Sequence, residues 1–221
     1  MEKGKIIVIE GACDGIGKTT QYELLKERLE KEDKVFTHHF PSYGNTQGEL
    51  VEEYLKGDLG DKKNLSPYLI HDLYAIDRAI TWLKLLKSKY EEGYTILLDR
   101  YTTSSIFYQS VGIEDELEKI KFINFVEDYE YDKLGIGKPD KVIFLTAPFD
   151  VVKKFRNERK ENEGISNDIH ERDEEFLRKV YDNGCKISKL LNWDVVECSS
   201  GNSFRNKEEI NDEIYKLVKK I

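Results

Sequence analysis

The sequence predicts an α/β fold in which a parallel sheet of about five strands is flanked by helices on both faces. Two observations point there. Apolar runs short enough for buried strands recur at 5–10, 34–39, 95–99, 141–146 and 194–198, with helical periodicity between them. The first run also leads directly into Gly11-Ala12-Cys13-Asp14-Gly15-Ile16-Gly17-Lys18-Thr19-Thr20, a glycine loop that opens a helix. At 221 residues the chain can bury a proper core and fits a single domain over 1–221.

The strand 5–10 is apolar through its middle, as a strand covered on both faces must be. A helical pattern over 17–31 follows the glycine loop and hands over to the strand 34–39. Helical patterns at 47–56 and 67–92 lead to the strand 95–99, and one at 115–129 precedes the strand 141–146. Patterns at 150–160 and 168–191 lead to the last strand, 194–198, and a helix at 206–220 closes the chain. In such sheets ligands sit beyond the carboxyl ends of the strands, so the residues just after each strand are the first candidates for chemistry.

The glycine loop is the strongest of these. Glycines let the backbone turn so that successive N–H groups face the same oxygens, and the helix from Lys18 turns its positive end toward them. The ligand class is a nucleoside triphosphate with magnesium: Lys18 reaches the β- and γ-phosphates and the Thr19 hydroxyl ligates Mg²⁺. The usual pattern has glycine where this chain has Ala12, with Gly11 one residue further out. Either Ala12 replaces that glycine or the loop is one residue longer. Asp14 is an unusual neighbour for phosphates. It faces a second ligand or the metal, or it is a solvated turn residue.

Asp99-Arg100-Tyr101 follows a core strand. An acid there suits magnesium and an arginine suits phosphate, bidentately. Tyr74 and Arg78 are spaced i, i+4 and share a helix face, where a ring can stack a base and a guanidinium can bond its edge. The segment 155–172 is almost wholly polar and contains Arg156, Arg159 and Lys160. We read it as a mobile lid that closes over phosphates.

Composition excludes several classes. Lys and Arg number 35 against 43 Asp and Glu, a formal net charge of −8, so a nucleic-acid coat protein is not expected. No apolar stretch is long enough to span a membrane and no signal peptide is read. Cys13, Cys185 and Cys198 are too scattered for a metal site or disulfide framework and read as cytoplasmic thiols, with Cys13 open to oxidation. The histidines show no ligand spacing.

Together these residues resemble the thymidylate kinase family of P-loop nucleoside monophosphate kinases. Ile9-Glu10-Gly11 and Asp14-Gly15-Ile16-Gly17-Lys18-Thr19-Thr20-Gln21 stand against the family's Glu-Gly-x-Asp-Gly-x-Gly-Lys-Thr-Thr-Gln. Phe40-Pro41, Tyr74-Ala75-Ile76-Asp77-Arg78 and the run Asp99 to Gln109 continue the likeness, and Lys138-Pro139-Asp140 and Asp168-Ile169-His170-Glu171 close it. The resemblance implies a three-layer P-loop sandwich with a lid, a homodimer, and transfer of the γ-phosphate of ATP to dTMP. It implies ATP contacts from Gly11 to Thr20 and magnesium held by Thr19 and Asp99. Asp14 would meet the sugar 3′-hydroxyl and Arg100 the acceptor phosphate. Tyr74 would stack on thymine and Arg78 would bond its edge, with Phe40, Ser104, Tyr108, Gln109 and His170 around the acceptor. The family's loop arginine is absent, so the lid would supply one, Arg159 first and Arg156 next. Tyr43 stands near the place of another missing arginine and would bond the acceptor phosphate, unless Arg100 carries more of that work. Phe107 stands where a small residue is usual and would narrow the sugar pocket.

Rival readings use the same residues, among them a related nucleoside monophosphate kinase with a different base preference. A deoxynucleoside kinase would need a carboxylate base, for which Glu10 is available, but such enzymes usually carry Glu-Arg-Ser in place of Asp99-Arg100-Tyr101. A regulatory nucleotide switch would carry a guanine-reading segment after a late strand, and Leu145-Thr146-Ala147-Pro148 is not one.

Overall fold

A computed structural model describes residues 3–61, 64–163 and 174–221, without the side chains of 157–163. Five parallel strands lie in the order β2-β3-β1-β4-β5: β1 Lys5–Gly11, β2 Val35–His39, β3 Thr95–Asp99, β4 Lys141–Thr146 and β5 Asp194–Glu197. Each boundary lies within one residue of the predicted apolar run. Alternate side chains build the two faces of the core. Ile7, Ile9, Leu97, Ile143 and Leu145 pack with Tyr22, Leu25 and Leu29 of α1 (Lys18–Leu29) and with Ile210, Ile214 and Val218 of α9 (Lys207–Val218). On the other face Ile6, Val8, Ile96 and Leu98 meet Ala79, Trp82 and Leu86. The register pairs Ile9 with Asp99, so the glycine loop after β1 and Arg100 after β3 emerge side by side.

The remaining helices are α2 Glu49–Lys56, α3 Pro67–Thr81, α4 Lys87–Glu91, α5 Thr102–Gln109, α6 Glu116–Glu127, α7 Phe149–Glu163 and α8 Glu174–Leu190. The stretch 67–92 is not one α-helix: a π-helical turn, Trp82–Leu86, joins α3 to α4. A second π-helical segment, Asp128–Lys133, extends α6. A small hairpin, β6 Ser199–Ser200 with β7 Ser203–Phe204, turns at Gly201 and was not anticipated. Nor was α5. Its opening Thr-Thr-Ser-Ser is a poor helix former, and the helix is held instead by a buried carboxylate. Glu10 accepts from the Tyr101 backbone N–H (3.3 Å), Thr103 Oγ1 (2.6 Å) and Ser104 Oγ (2.8 Å). No described helix is long and apolar enough to cross a membrane.

Phe107 does not narrow a pocket. It is wholly buried, edge-on to Phe144 and Trp193. Gly184 of α8 makes room for it, since a Cβ there would lie 3.2 Å from the Phe107 ring and 3.0 Å from Phe144. Phe107→Ala should therefore cost about 3–5 kcal/mol of stability, measured as a lower urea midpoint at unchanged slope.

Candidate active site

β1 ends at Gly11, and the Ala12 N–H still bonds the Leu145 carbonyl of β4 at 3.0 Å. A Cβ on Gly11 would lie 2.7 Å from Ile16 Cγ2, so Gly11 is the position without room for a side chain, and the loop is one residue longer than the usual pattern. The extra length is absorbed inward, Ala12 and Cys13 being buried in core clusters formed by different helices. Burial, with the Asp14 charge, pushes the Cys13 thiol up to about 12, so it stays protonated, and the expectation of an oxidisable loop cysteine is set aside. Gly15 and Gly17 have φ of 92° and 88°, the left-handed region that glycine enters without penalty. Gly17 caps α1 with no side chain, leaving the first N–H groups of the helix for a ligand.

A cavity of ≈ 330 Å³ opens beyond the strand ends. Asp14, Lys18 and Thr19 line it from the loop and α1, Asp99 and Arg100 from the end of β3. Tyr74 of α3, Ser104, Tyr108 and Gln109 of α5, and Tyr43 complete the predicted part of its wall. Sequence reasoning missed Ser105, Leu55 and His39, which also line it. His39 ends β2, so the strand-end rule was the signal that could have found it.

Charges are interlocked here. Lys18 Nζ donates to Asp99 Oδ1, and His39 Nδ1 lies 3.0 Å from Asp99 Oδ2. Burial and the neighbouring Arg100 bring the Lys18 ammonium below its usual range, against the pull of Asp99. Burial alone would raise Asp99, but the His39 hydrogen bond and the Lys18 and Arg100 charges hold it well below the carboxylate range. Arg100 Nη2 donates to Asp14 Oδ1 at 2.8 Å, and its guanidinium lies 5.5 Å from the Tyr108 ring centroid. Burial opposes ionisation of Asp14, yet Arg100 and Lys18 keep it charged. Arg100 itself has φ 64°, a left-handed conformation rare for a side-chain-bearing residue.

Three expected residues stand back from the cavity. Phe40 is buried against Tyr101 and His38. Arg78, 1 % exposed, turns into the core and pairs with Glu130. Arg156 of α7 packs over the loop, where a Cβ on Gly15 would come 3.0 Å from its own Cβ, and its buried Nε has no partner among the described residues. Such an orphaned donor beside a glycine loop fits an anionic ligand. The Arg159 side chain and His170 lie outside the described residues. Glu10, spent on α5 and pushed up by burial, is no free base.

Thr19 and Asp99 are hard oxygen donors of the kind magnesium takes. Among the described residues no group of three His, Cys, Asp or Glu could hold an ion unaided. Magnesium held by so few protein oxygens would keep waters and phosphate oxygens as its other ligands.

The thymidylate kinase family model matches residues 9–214. The chain belongs to that family. It is 27 % identical to a thymidylate kinase of Danio rerio over 99 % of this chain and 92 % of that one. It is 32 % identical to a probable thymidylate kinase of Saccharolobus solfataricus over 98 % and 97 %. The solved structure of thymidylate kinase from Candida albicans superimposes with a TM-score of 0.72 at 24 % identity, covering 99 % of this chain and 92 % of that one. As a member of that family the chain phosphorylates dTMP with ATP.

The Asp99 pairing sets a pH signature. A carboxyl lowered by folding contributes stability that is complete above its unfolded value, about 3.9, and is lost as pH falls. Asp99→Asn leaves Lys18 unpaired and should cost on the order of 3 kcal/mol near neutral pH. The gap to wild type in urea unfolding should be constant above roughly pH 5 and shrink as pH falls through about 4 and below.

Proposed function

We propose that Lys18, Arg100 and Arg156 surround the phosphoryl group as it passes from ATP to dTMP. The observation that carries this is one cavity walled by the loop's Lys18 and Thr19 and by the aromatic Tyr74 and Tyr108, with Arg100 tied to Asp14 and resting by Tyr108. The acceptor phosphate oxygen is already ionised, so the transfer requires positioning and charge neutralisation rather than a base.

The residues divide the work. Backbone N–H groups of Gly11 to Thr20 and the start of α1 hold the ATP phosphates. Lys18, paired with Asp99 in the resting protein, would meet the β- and γ-phosphates, and Asp99 and Thr19 are the residues that would hold magnesium. When bound, magnesium offsets charge on the phosphate oxygens. Arg100 takes the acceptor phosphate, with Tyr43 beside it. Asp14, kept ionised, accepts from the sugar 3′-hydroxyl. Tyr74 stacks on thymine, and Gln109, whose Oε1 lacks a partner among the described residues, accepts from the acceptor nucleotide. Arg156, whose Cβ lies beside Gly15, is a candidate for the arginine that the loop lacks, while the Arg159 side chain lies outside the described residues.

The protein would act as a homodimer in the cytoplasm. Leu69, Leu73, Ile76, Ile80 and Leu83 form a stripe along α3 and its π-helical extension, with Leu69, Ile76 and Leu83 exposed, and Leu117 and Ile120 of α6 are exposed too. Repeats of three, four and seven are those of a helix that packs on another helix. The partner is a second copy. Leu83→Glu should convert a dimer to a monomer in sedimentation equilibrium. A wild-type monomer would refute the dimer.

The decisive assay is ADP release from ATP and Mg²⁺ with dTMP, with thymidine as the contrast. Turnover is expected with dTMP alone, and Lys18→Ala should lower kcat by roughly 10³-fold or more with the fold intact by circular dichroism. Activity within about tenfold of wild type in that variant would refute the assignment of Lys18.

A further inference from the structure

On one face of β1 the apolar side chains of Ile6 and Val8 are followed by Glu10, a carboxylate with no exposed surface. A buried acid persists only if its oxygens are filled. The filling comes from residues 101–104. Oε1 accepts from the Tyr101 N–H at 3.3 Å, from Thr103 Oγ1 at 2.6 Å and from Ser104 Oγ at 2.8 Å, and Ser104 Oγ lies equally 2.8 Å from Oε2. Burial pushes Glu10 up, while Arg100, the two hydroxyls and Lys18 pull it back toward the carboxylate.

These partners begin one residue after Arg100. The Arg100 N–H bonds the Ile9 carbonyl at 3.2 Å, and the next N–H along the chain, that of Tyr101, bonds the Glu10 carboxylate. The peptides on both sides of the Arg100 Cα are thus held by consecutive residues of β1. The first bond bears on φ of Arg100 and the second on its ψ. An arginine relaxes readily out of φ 64°, so a left-handed residue persists where its surroundings over-determine it. Tyr101, which caps α5, makes no side-chain cap bond of its own, and the Glu10 carboxylate fills that place from another strand.

The consequence reaches the cavity. From this backbone the Arg100 side chain lines the wall and donates to Asp14 Oδ1 at 2.8 Å. Ser104 lines the same wall, but its one proton is directed at Glu10.

We propose that Glu10 is a positioning residue for the acceptor phosphate: by fixing the Tyr101 N–H, its carboxylate oxygen holds Arg100 in the left-handed turn from which the guanidinium reaches the cavity. The proposal rests on the dTMP reading above, in which Arg100 takes the acceptor phosphate, and deepens it. Glu10 touches no substrate and acts through Arg100. What it supplies is an acceptor oxygen at a fixed place, which an amide can supply as well as a carboxylate.

Glu10→Asp draws the carboxylate back by one methylene, away from the Tyr101 N–H. Glu10→Gln keeps an acceptor at the Oε1 place and loses the charge. Both are compared with wild type at saturating ATP, with dTMP as substrate and with thymidine, which has the base and sugar but no phosphate, as competitive inhibitor. Glu10→Asp should raise KM for dTMP roughly tenfold or more and leave the thymidine inhibition constant and KM for ATP within about threefold. The ATP side is spared because the glycine loop has its own tether, the Ala12 N–H on the Leu145 carbonyl at 3.0 Å. Glu10→Gln should stay within about threefold of wild type in all three constants. Should Glu10→Asp fail to fold, Thr103→Val, which keeps the shape and removes the shortest bond to Oε1, is read by the same pattern. A lowered melting temperature with an unchanged KM for dTMP would make Glu10 a purely structural acid and overturn the proposal. An equal rise for dTMP and thymidine would place the effect in the α5 wall rather than at Arg100 and overturn it too. So would a Glu10→Gln variant as impaired as Glu10→Asp, since charge rather than position would then be the cause. A wild-type enzyme silent on dTMP would strike the dTMP reading itself, and this proposal with it.

Discussion

Parallel pairing of β1 with β3 sets Ile9 opposite Asp99, and the Arg100 N–H closes on the Ile9 carbonyl at 3.2 Å. Site chemistry depends on that register. Successive strand side chains point to opposite faces, so a slip of one residue would carry Asp99 away from Lys18 and turn Leu98 toward the phosphates. Because β1 lies between β3 and β4 and is buried nearly throughout, the register is held from both sides and the loop starts from a rigid edge.

Two buried glutamates extend this frame in different ways. Among the described residues Glu10 holds no cation directly; it collects a backbone N–H and two hydroxyls and so anchors the first turn of α5. Glu130 collects a guanidinium and a hydroxyl and so ties α3 to the segment after α6. Both sit behind the cavity wall and fix the elements from which Tyr74, Ser105 and Tyr108 reach the cavity. Stripped of such partners, either carboxylate would be too costly to bury.

The five strands were legible because a strand covered on both faces must be a short apolar run, and little else in a sequence looks like one. The loop was legible because its glycines and Lys18 answer to backbone geometry rather than to distant contacts. Tyr74 and Arg78 are spaced for one helix face, but periodicity carries no depth: Tyr74 lines the cavity and Arg78 turns into the core. Arg78 finds its partner 52 residues away, a contact no local pattern encodes. His38 and His39 looked alike in sequence; strand alternation sends the first to Ser42 and the second to Asp99. For α5 local propensity pointed away from a helix, and a carboxylate more than 90 residues distant overruled it.

Arg100 has a consequence beyond its contacts. A side chain held at φ 64° costs of order 1–3 kcal/mol relative to a relaxed backbone. That cost is met during folding, by the β1–β3 pairing and by Asp14, before any nucleotide arrives. The guanidinium is therefore already oriented at the cavity wall, and an anion meeting it there would spend little of its binding energy in arranging it. A glycine at this position would relax the chain and leave the molecule more comfortable when empty. The strain in the resting protein is thus the stored form of a guanidinium held ready at the cavity wall.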